Sequence, residues 1–141
     1  MNKTIISMPL YLEMGVKEIK RYYINLNNYR NWHYQVSNKL KHLYKERAGE
    51  IIKGMRFDNP IKLKFVLWKK NKGKIDRANP LCIHEKFFCD ALTEFGCIPD
   101  DNDNHIVSSH YYTGGIDRED PRVDIIIQEI NKKNLQDKQI K

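Results

Sequence analysis

Cysteine is scarce in this 141-residue chain: Cys82, Cys89 and Cys97 stand seven and eight residues apart, with no CxxC among them. An odd count at that spacing suggests neither a disulfide framework nor a zinc knuckle, so the thiols are read as reduced, half-buried packing residues. Long apolar runs are lacking too. The stretch Ile5-Ile6-Ser7-Met8-Pro9-Leu10 is too short to span a bilayer, and Glu13 stands where a signal cleavage site would be expected, which points to a cytoplasmic protein. Repeats and low-complexity segments are absent.

Charge is plentiful and unevenly spread. The chain carries 25 Lys and Arg against 18 Asp and Glu, a formal charge of +7. Residues 1–75 hold 17 basic and 5 acidic side chains, a balance of +12, whereas residues 76–141 hold 8 and 13, a balance of −5. The basic half suits a polyanion such as nucleic acid or an anionic membrane surface, and the acidic half could hold cations. With 40% apolar and 11% aromatic residues the chain can bury one ordinary core. A single domain over 1–141 is expected, its core spanning about residues 16–130 and its last residues, 131–141, forming a frayed tail.

The segment 16–26 is rich in β-formers near its end and meets Asn27-Asn28, a turn signal. From Trp32 to Lys53, Val36, Leu40, Leu43, Tyr44, Ala48 and Ile51 recur at three- and four-residue spacing, predicting a long amphipathic helix that Asn59-Pro60 closes off. Residues 61–68 begin by alternating apolar and basic side chains, the pattern of a strand. A basic loop with Lys69, Lys70, Lys72 and Lys74 follows. A second helix is predicted over 79–95, with Gly96 as its stop and Asn79, Lys86, Asp90 and Thr93 on a polar ridge. Strands over 106–112 and 122–130, joined by a Gly114-Gly115 loop, complete an α/β domain with a mixed sheet.

Two acidic features flank the second helix: Asp76 after the basic loop, and the pair Asp100-Asp101 after the helix. Carboxylates brought to one sheet edge could bind Mg²⁺, which needs only one or two of them plus phosphate and water, and so serve hydrolysis of a phosphodiester. Lys86 could balance the added negative charge of the transition state. Taken alone, Asp clusters after a helix are more often solvated loop caps.

Three runs carry a resemblance: Asp76-Arg77-Ala78-Asn79, then Glu85 to Leu92, then Gly96-Cys97-Ile98-Pro99-Asp100-Asp101. Their frame, Lys-x3-Asp-Ala-Leu-x3-Gly-x3-Asp-Asp, resembles the signature of RusA-type Holliday junction resolvases, and Asn25 to Arg30 is similar to that family's Asn-rich segment. The resemblance covers roughly residues 20–130. It implies a RusA-like fold and a homodimeric, Mg²⁺-dependent (or Mn²⁺-dependent) endonuclease that makes paired nicks across four-way DNA junctions in recombination and repair, often encoded by phages and prophages. Position by position, it implies Asp76 and Asp101 as acidic metal ligands, helped by Asn79 or Asp100, and Lys86 as the helix lysine; Asp90 and Asp100 match acidic positions of less defined role. The usual Asp-x-Asp-Asn is here Asp76-Arg77-Ala78-Asn79, so Ala78 stands where a ligand is expected. A branch of the family with Asp-x-x-Asn implies Asn79 as the substitute oxygen ligand, with Glu85 in reserve; Glu85 and Asp90 are otherwise expected to support the ligands by hydrogen bonding. Lys62, Lys64, Lys69, Lys70, Lys72 and Lys74 are expected to neutralise flanking phosphates.

Alternatives stay open at this stage: a junction-binding protein whose catalysis is weakened, a basic scaffold whose aspartates only cap loops, and a less selective flap or single-strand nuclease. Asp101-Asn102-Asp103-Asn104 is no calcium loop, because Ile106 and Tyr112 occupy the positions needing Gly and Glu. His84, His105 and His110 match no zinc spacing, and His84 is read as a packed histidine with a hydrogen-bond partner. Trp32, Tyr34 and Trp68 could stack on unpaired bases, but are read as core.

Overall fold

The computed structural model describes residues 3–131, so residues 132–141, nearly all of the expected tail, lie outside the described residues. Among the described residues the elements run β1 (Lys3–Pro9), β2 (Tyr11–Met14), β3 (Lys20–Tyr23), α1 (Leu26–Asn31), α2 (Tyr34–Ile52), β4 (Ile61–Lys69), α3 (Ala78–Glu94), β5 (Ile106–Ile116) and β6 (Arg122–Glu129). An α/β domain with a mixed sheet results. The main sheet has the order β1-β6-β4-β5, with β4 and β5 parallel and the other pairs antiparallel, while β2 and β3 form a separate hairpin.

Period-two patterning decides which face of the sheet is covered. In β4, Ile61, Leu63, Phe65 and Leu67 are buried, while Lys62, Lys64, Val66 and Trp68 alternate with them and stay partly exposed. Phe65 and Leu67 lie opposite Ile125 and Val123 of β6, which lie opposite Ile6 and Met8 of β1, so the inward residues make one apolar surface. Leu40, Tyr44, Ala48 and Ile52 of α2 and Leu81, Phe87, Phe88 and Leu92 of α3 belong to the same core. The helices thus cover one face only, in two layers.

Four sequence expectations change. The N-terminal apolar run is edge strand β1, and Leu12 of β2 is buried, so the core begins well before residue 16. Asn27-Asn28 lies within α1 instead of a turn: Asn25 is its N-cap, accepting from the backbone of Asn28 at 2.8 Å. Gly114-Gly115 is no hairpin loop but part of β5, and β6 pairs with β4 instead of β5. Glycine is needed there because a Cβ on Gly114 would sit 2.7 Å from the Trp68 ring, at a register shift between β4 and β5. Finally, two of the three aromatic residues read as core are not: Tyr34 is exposed, and Trp68 lies on the uncovered sheet face, where its Nε1–H donates to Asp124 at 3.0 Å beneath the Arg122 guanidinium. Trp32 does pack against the core.

The stop of the second helix is as expected. Gly96 adopts φ +71°, and the Cys97 N–H closes back onto the Leu92 carbonyl at 2.9 Å.

Candidate functional site

The polar ridge of α3 forms because its other faces are spoken for. Leu81, Phe87, Phe88, Ala91 and Leu92 are buried, whereas Asn79, Asp90 and Thr93 are half-buried and Lys86 is exposed. Where this ridge meets the loop after α3 and the start of β5, a cleft of about 560 Å³ opens. Its lining includes Glu85, Lys86 and Asp90 from α3, Asp101 and Asp103 from the loop, and Ser108 and Ser109 from β5. Four carboxylates and one ammonium therefore face one space, floored by Cys82 and Cys89.

The thiols report on that field. Burial first, then the carboxylates of Glu85, Asp101 and Asp90, pushes the Cys89 thiol up to about 12. Burial and Glu85 likewise raise the Cys82 thiol. Both are protonated at neutral pH and unsuited to nucleophilic attack. Beside the cleft, though not part of its lining, Tyr111 of β5 donates its phenolic O–H to Glu85 Oε1. Burial, followed by this contact with Glu85, raises the Tyr111 phenol above its ordinary value, so it stays a donor.

The residues singled out in the sequence divide. Lys86, Asp90, Asp101 and Glu85 come together in the cleft. Asp76, Asn79 and Asp100 are not part of its lining. Asp76 is exposed at the entry to α3 and accepts the Ala78 N–H at 3.1 Å. Asn79 Oδ1 accepts the N–H groups of Leu26 and Asn27 at 2.8 and 3.3 Å, which occupies both lone pairs of the oxygen expected to serve as a ligand. Asp100 caps its own loop, accepting the Asp101 N–H at 2.8 Å. Lys62 and Lys64 project from the uncovered face of β4, Lys69 ends that strand, and Lys70, Lys72 and Lys74 are exposed on the loop leading to α3.

Sequence reasoning missed Tyr111, Asp103 and Ser109. Tyr111 was findable in principle, since it shares the inward parity of β5 with Ser109, opposite Phe65 and Leu63 of β4. His84 is fully buried and pairs through Nδ1 with the Tyr44 hydroxyl at 2.8 Å, as a packed histidine should. Among the described residues no three of His, Cys, Asp and Glu are grouped closely enough to hold a metal ion by themselves. The donors in the cleft nonetheless suit a hard cation in kind, because they are carboxylate and hydroxyl oxygens and Mg²⁺ keeps much of its water shell. No protein-family model matches the chain, and no curated protein matches it.

Proposed function

We propose that the protein is a RusA-type Holliday junction endonuclease, acting as a homodimer on branched DNA. One observation carries this reading: Lys86, Asp90 and Asp101, which the motif frame singles out, line one cleft together with Glu85. One or two of the cleft carboxylates Glu85, Asp90 and Asp101, with water and the phosphate completing the shell, would hold Mg²⁺ or Mn²⁺, and Glu85 would stand in for the ligand absent at Ala78. When bound, the cation would supply charge neutralisation and water activation at a scissile phosphate. Lys86, exposed at the cleft, would stabilise the charge that develops on the phosphoryl oxygens. Tyr111 holds Glu85 in one orientation. The lysines at 69, 70, 72 and 74 would carry the flanking phosphates, making affinity fall with salt.

A second reading, a junction-binding protein with weakened catalysis, is favoured by the commitment of Asn79 to α1 and by the position of Asp76 outside the cleft. Cleavage of a synthetic four-way junction beside linear duplex, with Mg²⁺, with chelator and with Asp101→Asn, separates the two. Symmetric, metal-dependent nicking of the junction that Asp101→Asn abolishes is the expected result. Tight junction binding with no nicks in Mg²⁺ or Mn²⁺ would leave the second reading. Asp76→Asn retains an oxygen for the Ala78 N–H, so full activity in that variant would support a ligand set that excludes Asp76, whereas lost metal-dependent cleavage would return Asp76 to it.

A further inference from the structure

We infer that the uncovered face of the main sheet binds unpaired DNA, on a platform made of His110 and Tyr112 of β5 with Lys62 and Lys64 of β4. This rests on the junction reading only for the choice of DNA as the polymer.

The platform is built by register. Lys64 lies opposite His110 and Val66 opposite Tyr112, so the two rings and the lysines share the face that no helix covers. The His110 and Tyr112 rings are nearly parallel, 26° between planes, with centroids 6.4 Å apart, and Tyr112 is 46% exposed. Stacked, solvent-facing rings beside ammonium groups are the combination that takes bases on their π-faces and phosphates at the edge. Asp124 is the acidic residue of this face among the described strands, and it is engaged by Ser7 at 2.7 Å and by Trp68 and Arg122 at 3.0 Å each. Arg122 is shared with Asp117 and Asp120, so the positive charge of the face rests on Lys62 and Lys64.

Paired bases offer no open π-face to rings on a flat sheet, so an unpaired strand fits better than duplex. A second copy of the chain fits worse, since apposing two such faces about a two-fold axis would bring lysines toward lysines. Edge strand β5 contributes to both this face and the cleft, so a strand frayed at a branch point could pass from one to the other.

The test is fluorescence anisotropy of the full chain with a labelled single-stranded DNA of about 12 nucleotides, within the range of known single-strand sites. Chelator is present throughout. Wild type should bind with an affinity that falls with salt. Tyr112→Ala should weaken binding about tenfold, Tyr112→Phe should retain it, and Lys64→Gln should lower the salt slope by about one. Equal affinity of Tyr112→Ala and wild type would overturn the proposal. So would duplex binding as tightly as single strand, or a Tyr112→Ala variant that turns a dimer into monomer while oligonucleotide affinity stays unchanged. Because no divalent cation is present, failure of junction cleavage would sink the nuclease reading without touching this one.

Discussion

Asn79, in the first turn of α3, accepts the backbone N–H of Leu26 at 2.8 Å, 53 residues upstream, and so pins the N-terminus of α1. The six-residue helix cannot stand on its own propensity, since isolated helices this short are unstable in water. Removing an N-terminal cap costs about 0.5–2 kcal/mol, so Asn79→Ala should lower stability by roughly that amount. Asn79→Asp keeps the acceptor and adds a charge that a helix N-terminus favours, so it should recover most of the loss. Urea unfolding of the three proteins checks this. A ligand role for Asn79 would instead predict lost cleavage with unchanged unfolding.

His84 and Tyr44 make a second cross-helix bond, but a less comfortable one. The Tyr44 hydroxyl meets Nδ1, while Nε2 is buried with no hydrogen-bond partner. Burial lowers the imidazole from 6.5 to about 3. The unfolded chain therefore takes up a proton that the folded chain refuses. Stability from this group is complete above pH 6.5 and is lost as pH falls toward 3, by a few kcal/mol at most. Replacing both partners, His84→Leu with Tyr44→Phe, should flatten that part of the stability curve and be nearly neutral at pH 7, because no polar atom is left stranded. A Tyr44→Phe variant alone should be destabilised. Unfolding followed between pH 4 and 7 would show both effects.

What the sequence disclosed and what it hid follow from the range of the forces involved. Helices α2 and α3 and strand β4 were legible because their apolar periodicity is strong and continuous. β1 was missed because adjacent Ile5 and Ile6 blur its alternation, and its partner β6 lies more than a hundred residues away. α1 was misread because asparagines that cap a helix resemble those that make a turn. Lys86, Asp90 and Asp101 could be singled out from a local motif. The diversion of Asn79 to α1 could not, since the competing N–H groups come from a distant segment.

Gly49 illustrates a constraint of close packing between helices. It is buried in α2, and a Cβ added there would come within 2.3 Å of the Phe95 ring, just beyond the end of α3. Alanine is worth about 1 kcal/mol more than glycine inside a helix, so propensity alone predicts that Gly49→Ala stabilises. Overpacking costs typically 1–3 kcal/mol, and the contact here is too short to relax without moving the ring. The net expectation is destabilisation. Gly49→Ala combined with Phe95→Leu should recover stability beyond the sum of the single effects, as measured by a thermal-melt double-mutant cycle.

Tyr111 and Glu85 provide the sharpest test of the cleft as a reaction site. The phenol fixes one carboxylate oxygen of Glu85, so Tyr111→Phe leaves the carboxylate in place but free to rotate. If Glu85 acts on the cation or the phosphate, loss of that orientation should slow junction cleavage by about tenfold, a factor worth about 1.4 kcal/mol, with little change in junction affinity. Glu85→Gln should be more damaging, since it also removes the charge. The double variant then discriminates between roles. A Tyr111 that works only through Glu85 has nothing left to position once Glu85→Gln is present, so the double variant should cleave no more slowly than Glu85→Gln alone. Additive losses would mean that Tyr111 reaches the DNA by itself. A Tyr111→Phe protein with full cleavage rate would show that this hydrogen bond does not position Glu85 for the chemistry, and full cleavage by Glu85→Gln as well would return the burden to Asp90, Asp101 and Lys86.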